Sequence, residues 1–287
     1  MPRSDDYGDC GVVFGPGRLA AGEASWPTLW NYFASGKDHY TADRMLGDLV
    51  TKQNPEFERI AALRIAARAR LVRYMVAAAS VRQLIIVDCD LPTHDEVHEV
   101  AHRIDPRVRV VYSSGHPVVM AHARAVMPAF GYLDAPATDP AALVDGAAAA
   151  LDLTEPTGVL LVNALDVLDA DTARHITCTF ADALASGSYI GITHLTIKPT
   201  GDRPPTGPSL HALFTARHMP PPVFRTPAEI AGLLDGFELL GPGVTPVPRW
   251  RPESLLDQLE HDPPGDIRLV VAAARKPTPT VPLLAPI

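Results

Sequence analysis

Apolar positions follow a helical period in the first third of the chain. From Trp26 to Leu49 the apolar spacing is helical, with one polar interruption at 35–38. Residues 55–79 carry Ala, Leu and Arg at helical spacing and open with Pro55, which is favourable in a first turn. The pattern therefore predicts a helical cap over 25–80.

Short apolar runs alternate with helical stretches from residue 81 onward. Strands are predicted at 83–87, 108–112, 130–133, 158–162, 188–194, 237–240 and 267–273, and helices at 94–104, 117–127, 139–150, 169–185 and 227–234. Strands that alternate with helices form right-handed βαβ units and a parallel sheet. The predicted fold class is α/β, a doubly wound, mostly parallel sheet over 81–275 with the N-terminal helical cap.

Three segments fall outside this alternation. Residues 1–24 are Gly-rich and acidic, and we expect them to be loose. Residues 198–227 are Pro-rich and are predicted to form an insertion or lid rather than a core element. Residues 276–287 are predicted to be an irregular tail.

Charge and composition narrow the class of partner. The 287-residue chain has a net charge of −8 and no long basic run, which argues against a nucleic-acid partner. No apolar run reaches membrane-spanning length, and the first residues have no apolar signal core. We therefore expect a cytoplasmic protein with a small-molecule substrate and no membrane partner; a homo-oligomer stays open.

The arginines at 64, 68, 70 and 73 are predicted to form a solvated helix face.

Polar residues gather directly after five predicted strands. In an open parallel sheet, a ligand binds beyond the carboxyl ends of the strands, where the strand order switches. The residues at these positions are Asp88, Cys89, Asp90, Ser113, Ser114, Gly115, His116, Asp134, Asn163, Asp166 and His194. Because strand ends also carry capping and turn residues, each one alone has a structural explanation.

Separate sequence blocks occur in a recognisable order between about Trp26 and about Arg275. They are Tyr32 with Ser35–Tyr40 and Ala42–Arg44, Val72–Tyr74, Leu91–Thr93 with Val97–Ala101, Pro117–Val119 with Ala121–Arg124, Gly187–Tyr189 with His194, and Pro246–Pro252. Together they resemble the actinobacterial family of S-adenosylmethionine (SAM) methyltransferases that was formerly a domain of unknown function. The resemblance implies a Rossmann-like methyltransferase fold.

The chain departs from this family in four segments that face the cofactor. After the first strand the family has Gly-x-Gly, and this chain has Asp88-Cys89-Asp90. The family's second strand ends in an acidic segment, and residues 113–116 of this chain contain no carboxylate. The family's third strand ends in Ala-Asp and its fourth is followed by Leu-His; the matching pairs here are Ala135-Pro136 and Leu165-Asp166. Glycine lets the backbone approach the cofactor closely, so side chains there are expected to collide with SAM. The departures predict a member that kept the fold and lost ordinary SAM binding.

Three functions stay open at this point. The first is a protein that acts on a small molecule through a repurposed pocket, by acid–base or metal-assisted chemistry. The second is an active SAM-dependent methyltransferase with an unusual cofactor site. The third is a catalytically inactive ligand-binding or regulatory pseudoenzyme. The loop after the first strand discriminates between these functions. Glycines there would favour SAM binding, whereas Asp88-Cys89-Asp90 favours the other two functions.

Candidate roles follow from these positions. The expected catalytic residues are Asp88, Asp90, His116 and Asp166, and the expected cofactor contacts are Lys37, Asp38, Tyr40, Ser113, Asp134 and Asn163. Two nearby carboxylates raise the pKa of one of them unless a cation or an imidazolium lies between. A divalent metal held by Asp88, Asp90, His94 and His116 is the alternative, since such mixed ligands suit Zn, Fe or Mn. His94, His98 and His102 also share one helix face.

Overall fold

The helical cap consists of three helices. The computed structural model describes residues 23–198, 206–252 and 265–278. The cap helices are α1 (Trp26–Phe33), α2 (Thr41–Gln53) and α3 (Glu56–Arg73), and a π-helical turn, Tyr74–Ala78, continues α3. The polar interruption at 35–38 separates α1 from α2.

Strands and helices alternate through the rest of the described chain. They are β1 (Gln83–Ile86), α4 (Val97–Ile104), β2 (Arg109–Ser113), α5 (Pro117–Val126), β3 (Gly131–Leu133), α6 (Pro140–Ala150), β4 (Gly158–Val162), α7 (Ala170–Ala183), β5 (Tyr189–Ile197), α8 (Thr206–Thr215), α9 (Pro227–Gly232), β6 (Glu238–Leu239), β7 (Thr245–Pro246) and β8 (Ile267–Arg275). The helix predicted from residue 94 starts at Val97, so 94–96 form an irregular lead-in.

One mixed sheet contains all of these strands. Its order is β3-β2-β1-β4-β5-β8-β6, with β7 also paired to β8. Strands β1 to β5 are parallel, whereas β8 runs antiparallel to β5. The predicted fold class is confirmed. The strand order reverses between β1 and β4, and this switch places a crevice at their carboxyl ends.

Both faces of the central strands are buried. Leu84 and Ile86 of β1 pack in the cluster that includes the cap helices, and Ile85 packs in the cluster on the opposite face with α6 and α7. Alternate side chains of a strand point to opposite faces, so a strand covered on both sides reads as an unbroken apolar run. This is why Gln83–Ile86 was recognisable from sequence.

The Pro-rich segment contributes to the core, which corrects the prediction for 198–227. Leu210 and Phe214 of α8 are fully buried, and the Phe214 ring stacks on Trp26 with centroids 4.7 Å apart. Proline density obscured a short amphipathic helix that covers the start of the cap. Residues 199–205 lie outside the described part of the chain, as do 1–22 and 279–287, on which the predictions of a loose N-terminus and an irregular tail rest.

The arginine face of α3 is buried rather than solvated. Arg64, Arg68 and Arg70 are only 6%, 9% and 4% exposed. Arg68 forms an ion pair with Glu96 at 3.0 Å, and Arg70 donates to the Val247 carbonyl oxygen at 2.7 Å. The prediction was wrong because the helix packs against loops that supply carbonyl and carboxylate acceptors, which a helical period alone cannot reveal.

Within the described ranges, no helix is both long enough and apolar enough to span a bilayer.

Cys89 and Cys178 are free thiols, and Cys89 is buried. Burial, more than the neighbouring Asp90, raises the pKa of the Cys89 thiol well above its usual value.

Candidate functional site

A cavity of about 690 Å³ lies beyond the carboxyl ends of β1 and β4. The loops after β1, β2, β3 and β4 line it, and Trp26 and Trp30 of α1 and Arg64 of α3 line the side formed by the cap. Small-molecule sites typically enclose roughly 300–1,000 Å³ and lie at the topological switch point of such sheets. The cavity is therefore the candidate ligand site of the described chain.

Asp88 lies where β1 turns into its loop, in the left-handed backbone region with φ = 47°. Asp is among the few residues besides Gly that tolerate this region. Its Oδ2 accepts a hydrogen bond from Ala137 N at 3.0 Å, and Gly115 N is a second backbone donor to the carboxylate. Burial raises the pKa of Asp88 to about 6, with a smaller contribution from Asp90, although both backbone donors oppose the rise. Asp88 can therefore change protonation close to neutral pH.

Arg64 joins the β1 loop to the β4 loop. Its Nη2 pairs with the Asp90 carboxylate, and its Nε donates to Asn163 Oδ1 at 2.6 Å. The guanidinium also lies 4.0 Å from the centroid of the Trp30 ring. Burial lowers the pKa of Arg64, while Asp90 counters that effect. Asp90 is thus fixed by a buried cation, and it does not cap the following helix, whose N-cap is Glu96.

Asp166 is held in a buried hydrogen-bond network. One carboxylate oxygen, Oδ1, accepts from Leu195 N at 2.9 Å and lies 3.0 Å from His194 Nδ1, while Oδ2 accepts from Asn163 Nδ2. On the far side, Arg225 Nη1 donates to His194 Nε2 at 2.6 Å. Because Nε2 accepts, an imidazole proton is assigned to Nδ1, which donates to the Leu195 carbonyl oxygen at 2.8 Å. Asp166 therefore presents a rigidly oriented carboxylate to the cavity.

His116 begins α5 and lines the cavity. Its backbone N donates to Ser114 Oγ at 3.1 Å, while its Nδ1 is buried and has no hydrogen-bond partner among the described residues. Burial lowers the pKa of His116, which favours a neutral ring at pH 7. A buried polar atom without a hydrogen-bond partner is costly to the fold. His116, Asp88 and Asp90 all line the same cavity, as their positions at strand ends suggested.

Two further candidates from the sequence also reach the cavity wall. Asn163 lines it with φ = 57°, and Asp134 lines it near the surface, where it pairs with Arg124 at 2.6 Å. Ser113 does not: it is fully buried, and its Oγ donates to the Ile86 carbonyl oxygen at 3.1 Å. The neighbouring Ser114 is the residue that lines the cavity.

The cap residues expected at the cavity lie elsewhere. Lys37, Asp38 and Tyr40 are exposed and are not among the lining residues. Asp38 N donates to Asn31 Oδ1 at 2.9 Å, and this bond holds the turn between α1 and α2. The polar interruption therefore forms a connection between helices, and α1 contributes Trp26 and Trp30 to the cavity in its place. No sequence pattern marked these two tryptophans, or Arg64 and Arg225, as parts of the site.

The four proposed metal ligands do not converge. His94 is exposed and lies outside the cavity lining, because the chain becomes helical only at Val97. His98 Nδ1 lies 3.0 Å from the Tyr112 hydroxyl oxygen, and His102 Nε2 lies 2.9 Å from the Val108 carbonyl oxygen. Over residues 23–198, 206–252 and 265–278, no group of three or more His, Cys, Asp or Glu side chains could hold a metal ion. The four proposed ligands therefore do not form the predicted metal site in the described part of the chain.

The sheet order, the cap and a cavity at the switch point define a protein of the Rossmann-like methyltransferase class. The chain belongs to the S-adenosyl methyltransferase family, whose model matches residues 16–277. It is similar to a DUF574 family protein from Streptomyces avermitilis, with 28% identity, a TM-score of 0.79 and coverage of 91% of this chain and 100% of the other. A protein from Thermobifida fusca, described as a candidate methyltransferase, matches with 28% identity, a TM-score of 0.81 and coverage of 91% and 97%. No curated protein shows significant sequence similarity to the chain.

Proposed function

We propose that the chain acts on a small molecule in the strand-end cavity and does not hold SAM in the pose usual for its fold. The observation that carries this proposal is the position of Asp88. Its carboxylate takes the backbone donors of the β2 and β3 loops, Gly115 N and Ala137 N, at the place where the resembling family has glycine. A nucleoside that needed those donors would have to displace an intramolecular carboxylate.

The second and third loops support the same proposal. Ser114 stands in the segment where the family has a carboxylate for the ribose, and its Oγ already accepts a bond from His116 N at 3.1 Å. Pro136 stands where the family has Asp near the adenine, and its ring lies against Gly115. A hydrogen bond to a charged group is worth about 1.5–3 kcal/mol, so the loss of the ribose contact alone costs roughly tenfold or more in affinity.

The residues that line the cavity support acid–base chemistry rather than contacts to a cofactor. Asp88, with a pKa of about 6, exchanges a proton near neutral pH. His116, whose pKa is lowered by burial, and the fixed carboxylate of Asp166 line the same cavity. Groups with perturbed pKa values in a concave site are typical of general acids and bases.

Calorimetry with SAM and S-adenosylhomocysteine tests the proposal. We expect no micromolar binding of either compound to the wild-type protein. The double variant Asp88→Gly with Ser114→Asp frees the two backbone donors and restores a ribose carboxylate, and glycine fits the φ of 47° without strain. We expect it to gain measurable affinity, whereas the surface control Asp235→Asn does not. Micromolar binding by the wild-type protein would refute the proposal.

The second candidate function is SAM-dependent methyl transfer with an altered cofactor site. The observation that favours it is the family match over 16–277, together with a cavity large enough for a small molecule. The same titration decides, because this function requires wild-type binding of SAM. A ligand-binding pseudoenzyme stays the third candidate, and it is separated from the first by whether a bound ligand is chemically altered.

We further infer a cytoplasmic location and a small-molecule partner rather than nucleic acid or membrane. The net charge of −8 supports this, as do the free thiols of Cys89 and Cys178.

A further inference from the structure

The charged side chains that line the cavity are mostly negative. Among the described residues that line it, five are aspartates and one is an arginine; the aspartates are Asp88, Asp90, Asp134, Asp139 and Asp166. Two have a cationic side chain as partner, Arg64 for Asp90 and Arg124 for Asp134, and Asp166 lies 3.0 Å from the His194 imidazole. A concave surface lined by one sign of charge concentrates ligands of the opposite sign.

The other two carboxylates lack a cationic side-chain partner among the described residues. Asp88 is bonded to Ala137 N and Gly115 N, and Asp139 to Ala142 N. Both lie on the same side of the cavity, because Ala137 is two residues from Asp139. Arg64 cannot neutralise them, since its guanidinium is committed to Asp90 and Asn163. The negative charge of Asp88 and Asp139 is therefore not neutralised by a cationic side chain of the described cavity wall.

The remaining wall is apolar and suits an organic rather than an inorganic cation. Trp26, Pro27, Trp30, Val162 and Val167 face the cavity. No group of the described His, Cys, Asp and Glu side chains has the arrangement of a metal site. Aromatic rings and carboxylates together are the surroundings in which proteins bind substituted ammonium groups.

We propose that the cavity binds an organic cation, a protonated amine with an aromatic or aliphatic portion. The ammonium group lies on the side of Asp88 and Asp139, and the apolar portion lies against Trp26 and Trp30. This inference rests on the proposed function only in taking the cavity as a small-molecule site, and it does not depend on the fate of SAM.

Three probes with the same ring and different charge test the proposal: tyramine, a cation; tyrosol, a neutral alcohol; and 4-hydroxyphenylacetate, an anion. Their affinities are measured by calorimetry or ligand-observed NMR at neutral pH and low ionic strength. We expect tyramine to bind about tenfold more tightly than tyrosol, the anion more weakly still, and the preference to shrink with added salt.

Two conservative substitutions locate the effect. Asn keeps an acceptor for the backbone donors at 88, and Asn caps α6 as well as Asp does at 139, so Asp88→Asn with Asp139→Asn preserves the fold. We expect this double variant to lose the preference for tyramine and to keep its affinity for tyrosol, while Asp235→Asn, in an exposed pair with Arg174, changes neither.

Equal or tighter binding of tyrosol or the anion overturns the proposal. So does a full preference for tyramine in the double variant, or an absence of binding by all three probes at millimolar concentration. None of these outcomes bears on the SAM titration, so a failure here is distinguishable from a failure of the proposed function.

Discussion

The loops after β1 and β4 face one cavity but stabilise their carboxylates in different ways. In the β4 loop, Asp166 accepts hydrogen bonds from Leu195 N and Asn163 Nδ2, lies 3.0 Å from His194 Nδ1, and is 3% exposed. In the β1 loop, Asp88 is half-buried and bonded to two backbone N–H groups, with no cationic side-chain partner in the described chain. The first carboxylate is a fixed part of the fold, whereas the second has a pKa close to neutrality.

Both loops also share a backbone feature. Asp88 and Asn163 each adopt a positive φ, of 47° and 57°. This region strongly favours Gly, and Asn and Asp are the common exceptions. Asp88 therefore adopts a turn conformation that glycine also favours, and it adds a carboxylate to the cavity.

The largest effect is expected from Arg64→Met, which removes the connection between the two loops. The variant leaves Asp90 and Asn163 without their partner, and we expect it to lower the free energy of unfolding by about 3 kcal/mol. Urea denaturation at neutral pH measures the loss. The control is Arg124→Met, because the Arg124–Asp134 pair is exposed and should be worth less than about 1 kcal/mol. Equal losses in the two variants would show that Arg64 is not a structural bridge.

A smaller loss is expected from Asp166→Asn in the β4 loop. The amide group turns one acceptor oxygen into a donor that faces the donors of Leu195 or Asn163, so we expect a loss of about 2 kcal/mol. Asp169→Asn is the matched control three residues away, because Asp169 caps α7 from an exposed position and Asn keeps the cap, so only the small contribution of its charge is lost. An unchanged urea midpoint for Asp166→Asn would contradict the rigid network.

The smallest effect, and the most diagnostic, is the pH dependence of Asp88→Asn. The pKa of Asp88 is raised to about 6 in the folded protein, so this group's contribution to stability is present below its unfolded pKa of about 4 and is lost as pH rises through 6. Asp88→Asn does not lose this stability as pH rises, because an amide side chain does not titrate. Its stability relative to wild type should rise by about 1 kcal/mol between pH 4 and pH 7, a value reduced for the partial exposure of Asp88.

Asp169→Asn gives the opposite sign and serves as the control for that measurement. Backbone and side-chain hydrogen bonds from Thr172 lower the pKa of Asp169, so the wild-type contribution is lost as pH falls. Thermal unfolding across the pH range reports both variants. A flat difference between Asp88→Asn and wild type would mean that Asp88 is not perturbed, and the contrast between the two loops would then disappear.

The sequence by itself determined the alternation of strands and helices, because periods of 2 and 3.6 leave a local record in the apolar pattern. It also placed Asp88, Asp90, His116 and Asp166 at one edge of the sheet, since parallel strands end together. Family likeness drew attention to the β1 loop, where side chains replace glycines.

The tertiary structure alone decided which partner each group meets. Ala137 N is 49 positions from Asp88, and Arg64 Nε is 99 positions from Asn163 Oδ1, so no local pattern predicts either bond. The same holds for Arg225, which reaches His194 from a Pro-rich segment, and for α3, whose arginines are buried because loops fold over them. Periodicity records which face of an element is apolar, but the identity of a polar partner depends on packing between distant segments, and that packing sets the pKa of Asp88.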